Sequence, residues 1–187
     1  MGNIKKSAKW KLAESIKKLM DCNSLENITV KDIVKNAEVS RQTFYRNFQD
    51  KYDLVNWYFD ILASECFDKM GVSYTMREGL IYKLDFIRRE KKFFIQAFKS
   101  SDCNSIKQHD YQYIFEFYKN IICNKTGTDL LDDLKFLLEL YCHGSITMTV
   151  DWALNGMKKS SEELADCLIE ALPVRISEIL LPKLQNS

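Results

Sequence analysis

Residues 29–51 read TVKDIVKNAEVSRQTFYRNFQDK, and this stretch decides the fold. Apolar residues fall at Val30, Ile33, Val34 and Ala37, then at Val39, Phe44 and Phe48, the spacing of two short helices joined by a tight turn. Ser40 stands between them, where its hydroxyl can accept a hydrogen bond from the next turn's N–H groups, so it is the expected N-cap of a helix from Arg41 to about Phe48. That helix spends Phe44 and Phe48 on its inward face. Arg41, Gln42, Thr43, Tyr45, Arg46 and Asn47 are left to face elsewhere, and nearly all can donate hydrogen bonds. Arginine can grip guanine through two bonds, glutamine can do the same with adenine, and a threonine methyl can meet thymine, so the outward face has the make-up of a DNA major-groove reader. A solvated helix face has the same composition, and composition alone does not separate the two.

The order of residues is more specific. The string ITVKDIVKNAEVSRQTFYRNFQDKYDL resembles the DNA-binding segment of the tetracycline-repressor (TetR) family of bacterial regulators, whose pattern is roughly T-V-x-x-I-x-x-x-A-G-V-S-x-x-T-x-Y-x-x-F-x-x-K-x-x-L. The matching residues are Thr29, Val30, Ile33, Ala37, Val39, Ser40, Thr43, Tyr45, Phe48, Lys51 and Leu54. The resemblance implies that Lys31, Arg41, Gln42 and Thr43 approach base edges. It also implies that Thr29, Tyr45, Asn47 and Lys51 hold phosphates, and it puts the capping Ser40 in the same DNA-binding set. Thr29 opens the first helix, where free N–H groups favour an anion. One position departs from the pattern. The family usually has glycine in the turn, where φ is positive; this chain has Glu38, which would cost on the order of 1 kcal/mol in a left-handed backbone.

Outside this stretch the composition bounds the answer. The 187 residues are 46% hydrophobic and 12% aromatic, enough for a proper core, and only six glycines and two prolines punctuate them. Pro173 and Pro182 both lie near the end, so nothing interrupts long helices before then, and period-2 runs are absent. The expectation is an all-α chain: a three-helix DNA-binding head at residues 1–51, then a helical-bundle ligand-binding and dimerisation domain at residues 52–187. Charge fits that division. Residues 1–51 carry 11 Lys and Arg against 6 Asp and Glu, leaving 16 against 20 in the rest, a basic head on a mildly acidic body.

Six scattered cysteines without a CxxC pair read as reduced thiols, and no apolar run at the start reads as a signal peptide. No stretch approaches the roughly 20 apolar residues of a membrane span. A cytoplasmic protein without a membrane partner is therefore expected. An enzyme is the competing class, and its parts are missing: His109 and His143 lack metal-ligand spacing, and neither a glycine-rich phosphate loop nor a serine elbow occurs. No catalytic residue, metal site or cofactor is expected. A redox role for Cys142 needs a depressed pKa, which sequence does not show.

Along the chain, periodicity predicts helices at residues 8–20, 51–70, 76–89, 91–99, 106–123, 129–155 and 161–172. The first seven residues, with Lys5 and Lys6, read as an arm, and Gly71 to Thr75 breaks the pattern. Thr128 and Ser160 are the expected N-caps of the last two helices, the latter in a capping box with Glu163, while Gly127 and Gly156 are the expected stops. Aromatic residues of the body, among them Tyr82, Phe86, Phe94, Phe98, Tyr113, Phe117 and Tyr141, fit either a cavity for an apolar effector or plain core.

In the TetR family the final helix pair packs against a symmetry mate, which implies a homodimer through Leu138, Gly144, Met148, Trp152, Leu164 and Leu168. The stretch YCHGSITMTVDWALNGMKKSSEELA also resembles the family branch that includes the activator of dihydroxyacetone kinase genes, on Gly144, Trp152, Asn155, Gly156 and the Ser-Glu-Glu run. The resemblance therefore implies a double-stranded operator as partner and a small-molecule or protein effector. It implies either a repressor released from a palindromic operator or an activator controlled by a partner protein.

Overall fold

Helix α1, Ala8–Met20, starts where the Ser7 hydroxyl accepts from the Trp10 N–H and turns Leu12, Ala13, Ile16 and Met20 inward. The computed structural model to which it belongs describes residues 7–67, 75–102 and 104–181, without the side chains of 65–67. Lys5, Lys6, the helix end expected at Met70, the break at Gly71 and the side chains of Cys66 and Cys103 lie outside the described residues. Within them the chain is all-α, with ten helices, one 3₁₀ turn at Leu25–Asn27, and no strand.

The chain forms two compact units: residues 1–62 with 90–106, and residues 63–89 with 107–187. In the first, α1 packs on α2 (Val30–Ala37) and α3 (Arg41–Tyr45). Leu12, Ile16, Leu25, Ile33 and Phe44 are sealed from water, and Ile28 and Phe48 nearly so. Each such side chain contributes roughly 1.5–3 kcal/mol by leaving water. One polar group is buried among them: the Ser15 hydroxyl donates to the Ile33 carbonyl at 2.8 Å, tying α1 to α2 without an unpaired atom. Helix α4, Lys51–Phe67, starts at Asp50, whose carboxylate accepts from the N–H groups of Tyr52 and Asp53 at 2.8 Å each. Helix α6, Lys91–Lys99, also belongs to this unit. Its Phe93 meets Tyr58 edge-on at 5.1 Å, and Lys17 of α1 reaches both Glu90 at 2.7 Å and the Tyr58 hydroxyl at 2.8 Å.

The second unit holds α5 (Met76–Arg89), α7 (Ile106–Thr126), α8 (Asp132–Leu154), α9 (Ser161–Glu170) and α10 (Val174–Leu180). Arg77 of α5 forks onto Asp166 of α9 at 2.6 and 2.9 Å. Lys83 of α5 pairs with the buried Asp110 of α7 at 2.8 and 2.9 Å. Arg88 lies over the Trp152 ring at 5.2 Å and donates to the Lys159 carbonyl at 2.8 Å, which the Trp152 indole N–H also reaches at 3.0 Å. The Tyr141 hydroxyl donates to the Leu168 carbonyl at 3.0 Å, fastening α8 to α9.

Several boundaries differ from expectation, each for a local reason. The helix after Ser40 closes at Tyr45, not Phe48, because Asn47 N–H bonds back to Phe44 at i−3 and tightens the last turn. Helix α7 continues to Thr126 and stops at Gly127, whose φ of +70° ends it as expected. Thr128 caps nothing: its hydroxyl turns to Thr126, and α8 starts only at Asp132, with Asp132 and Asp133 favoured in its positive first turn. The capping box of Ser160 and Glu163 is present. Helix α10 was not foreseen; it follows Pro173 and buries a single residue, Ile176, too short a period to stand out.

The turn between α2 and α3 is left-handed at Glu38, with φ 55° and ψ 45°. Val39 N–H bonds to the Val34 carbonyl at 3.1 Å and Glu38 N–H to Lys35 at 3.4 Å, the double closure that ordinarily selects glycine at this place. Replacing Glu38→Gly should therefore raise unfolding stability by about 1 kcal/mol, read as a higher urea midpoint at unchanged slope. A lower midpoint would mean that the Glu38 side chain itself supports the turn.

Candidate nucleic-acid interface

Helix α3 is held at both ends by side chains of its own segment. The Ser40 hydroxyl accepts from Thr43 N–H at 3.0 Å and lies 2.9 Å from the Thr43 hydroxyl, while the Asn47 amide donates to the Thr43 carbonyl at 2.7 Å. Phe44 and Phe48 point inward and are buried, so the remaining side chains have only one way to face. Arg41, Gln42, Tyr45 and Arg46 stand exposed, Tyr45 with 60% of its surface free. Lys31 is exposed on α2. Among the described residues no ion pair or hydrogen bond occupies the side chains of Lys31, Arg41, Gln42 or Arg46. A short helix with an arginine, a glutamine and a tyrosine open to solvent, a second arginine at its C-cap and a brace from behind has the make-up that reading a groove requires.

Not every expected contact is free. Thr29 donates both its N–H, at 3.0 Å, and its hydroxyl, at 2.5 Å, to Asp32, whose carboxylate is held below its ordinary range chiefly by the bond from the Thr29 hydroxyl. The anion position at the start of α2 is thus filled by the chain's own Asp32. Lys51 differs more. Its ammonium donates to the carbonyls of Leu25 at 2.7 Å, Glu26 at 2.8 Å and Ile28 at 3.0 Å, which uses all three of its donors. It ties the 3₁₀ turn to the start of α4. Two further cations stand on this side of the unit. Arg46 is exposed at the end of α3, and Lys9 lies over the rings of Phe48 and Trp57 at 5.5 and 5.4 Å, which holds it beside α3. The aromatic neighbours of Lys9 are distant in sequence and gave no signal.

The residues expected at a dimer face divide in two. Leu138, Trp152, Leu164 and Leu168 are buried within the chain. Gly144 and Met148 are exposed, and with them Phe136 and Leu140, which were not anticipated. Of the body aromatics, Phe94 and Phe98 are core of the first unit; Tyr141 lines a closed space in the second. Cys142 is buried, and desolvation pushes its thiol up to about 12, the opposite of a redox-sensing thiolate. His143 stacks on Tyr111 at 4.1 Å, and no three His, Cys, Asp or Glu side chains converge among the described residues.

A two-helix reader braced by a third helix, on a chain with a separate helical unit, defines a helix-turn-helix DNA-binding regulator. Residues 13–56 match the description "Bacterial regulatory proteins, tetR family", and residues 74–173 match "Transcriptional regulator C-terminal region" of the same family. The chain belongs to the TetR family of transcriptional regulators. It is 31% identical over 98 residues to the HTH-type dhaKLM operon transcriptional activator DhaS of Lactococcus lactis, a match that covers 51% of this chain and about half, 52%, of that relative. The solved structure of a dihydroxyacetone kinase operon activator DhaS is similar with a TM-score of 0.61 and 22% identity, over 92% of this chain and 98% of the other. A TetR regulator from Streptococcus agalactiae gives 0.65 at 21% identity, over 86% and 90%. Thermus thermophilus FadR, a repressor solved with lauroyl-CoA, gives 0.57 at 16%, over 96% and 98%. At these identities the structural likenesses bear on fold alone. Among the described residues no helix is long and apolar enough to cross a membrane.

Because its three donors are spent internally, Lys51→Met should lower stability by roughly 1.5–3 kcal/mol. The salt dependence of DNA affinity should stay unchanged in that variant. Arg46→Ala should do the reverse, leaving stability alone and reducing the slope of log affinity against log salt by about 0.9, the share of one phosphate contact. Affinity titrations at several salt concentrations beside urea melts check both.

Proposed function

We propose that the chain acts as a homodimer on a palindromic operator, with residues 1–51 as the reading head and residues 52–187 as the regulatory and dimerising part. Arg41, Gln42 and Lys31 read bases, and Tyr45, Arg46 and Lys9 hold phosphates. The observation that carries this is the outward face of α3: Arg41, Gln42 and Arg46 exposed and unengaged behind a buried Phe44. Dimerisation is supported by three exposed apolar side chains on one face of α8, at Phe136, Leu140 and Met148. A two-fold dimer reads two like half-sites, hence the palindrome. Gln42→Ala should relax preference at one or two base pairs per half-site, worth about 1–3 kcal/mol at the preferred base. Binding to an operator and its single-base variants measures this, and uniform loss across all of them would assign Gln42 to the backbone instead.

An effector received by the second unit alters operator affinity. Helix α4 supplies the connection, since its residues through Leu62 belong to the first unit and those from Ala63 to the second. For the sign of regulation, repression relieved by the effector is one reading; FadR, solved with lauroyl-CoA, is a repressor of this fold. Activation through a partner protein is the other, and one observation favours it: the relative with 31% identity is named an activator. Transcription of the controlled promoter in a deletion strain separates the two: it should fall if the chain activates and rise if it represses.

A further inference from the structure

Ser161, the first residue of α9, carries a hydroxyl that nothing in the chain engages. It exposes only 2% of its surface, and its Oγ has no hydrogen-bond partner among the described residues. Its neighbour Ser160 is fully used: the Ser160 N–H donates to the Glu163 carboxylate at 2.7 Å, and the Ser160 hydroxyl accepts from the Glu163 N–H at 3.1 Å. The buried face of α9 continues from Ser161 through Leu164, Ala165 and Leu168, so an alanine would serve the packing there equally well. A buried polar group left unpaired lowers stability, and one that persists in a native structure calls for a partner from outside the chain.

Ser161 is the one buried residue along an open groove of about 460 Å³ between α5 and the start of α9, a volume within the range of small-molecule sites. Two of the charges around this groove are committed to the fold. Arg88 donates to the carbonyls of Met157 at 3.3 Å and Lys159 at 2.8 Å, which fixes the loop before α9, and Glu163 closes the capping box. Asp85, Lys158 and Lys159 also line the groove, with side chains that no ion pair or hydrogen bond occupies among the described residues. Glu162 completes the set; its carboxylate is held below its ordinary range by its own N–H and by the Ser160 hydroxyl, so it keeps its charge. These charges decide the class of ligand. A simple anion would meet Asp85 and Glu162 as well as the two lysines, and the positive start of α9 is already answered by Glu163. A simple cation would meet two ammonium groups. A molecule that carries an ammonium and a carboxylate on one small frame satisfies both signs and leaves a polar atom for the Ser161 hydroxyl.

We propose that this groove binds a free amino acid, its carboxylate toward Lys158 and Lys159, its ammonium toward Asp85 and Glu162, and one hydrogen bond to the Ser161 hydroxyl. The site does not depend on how the chain reads DNA. Thermal unfolding of the full-length chain with each proteinogenic amino acid at millimolar concentration tests it, since a ligand that binds only the folded chain raises the midpoint. One amino acid, or a few with like side chains, should raise it. The N-acetyl and methyl-ester derivatives of that amino acid, each lacking one of the two charges, should not. In calorimetric titrations Ser161→Ala should weaken binding roughly tenfold, the loss of one hydrogen bond, and Asp85→Asn should weaken it too. Ser161→Ala should meanwhile keep or raise the urea midpoint of the empty chain, because it removes an unpaired hydroxyl, and this separates lost binding from lost folding. If no amino acid raises the thermal midpoint, the proposal is overturned and Ser161 faces water alone. An N-acetyl derivative that binds as well as its parent overturns the zwitterion in favour of a plain anion site. Binding that is unchanged in both Ser161→Ala and Asp85→Asn places the amino acid elsewhere and overturns the groove.

Discussion

Phe44 has no surface in water, and the orientation of the whole reading head follows from that burial. Helix α3 is five residues long, too short to be stable by its own hydrogen bonds. What keeps it helical is the Ser40 cap before it, the Asn47 amide after it, and one ring on its inner side in contact with the core that α1 and α2 supply. Once that ring is committed, Arg41, Gln42, Tyr45 and Arg46 can only face out. The exposed face of α3 is thus aimed by a residue that is itself sealed from water, and the strain accepted at Glu38 lies in the turn that sets α3 against α2.

Electrostatics adds a second level of control. The acid Asp32 closes the start of α2 and occupies the place a phosphate would take, and Lys51 is spent on three carbonyls rather than left for the backbone of a nucleic acid. Two of the charges nearest the expected contact surface therefore serve the fold first. Among the described residues Lys31, Arg41 and Arg46 are exposed and take no part in an ion pair, so the charge of this part of the chain that is free for a polyanion lies elsewhere than at Lys51.

The existence and order of the head helices were legible because apolar spacing, a serine cap and a turn lie within 20 residues of one another. The engagement of Lys51 was not, since its three partners lie 23 to 26 residues away and only folding brings them together. Helix α8 shows a different limit. It is apolar on nearly all sides, so periodicity finds two stripes, one through Leu134, Leu138, Tyr141 and Cys142 and one through Phe136, Leu140, Gly144 and Met148, and cannot say which faces the core. The structure chose the first, which is why Leu138 belongs to the protomer interior. Helix α10, one buried isoleucine after a proline, carried too little pattern to be seen.

The placing of the three tryptophans gives the chain its own optical labels. Trp10 and Trp57 meet edge-on at 5.6 Å in the first unit, with Phe48 against Trp57 at 5.5 Å, while Trp152 lies under Arg88 in the second. Emission from the first pair follows events at the base of α3, and emission from Trp152 follows the end of α8. Substituting Trp152 leaves a spectrum that belongs to the first unit alone, so changes in the two units can be timed separately in one unlabelled protein.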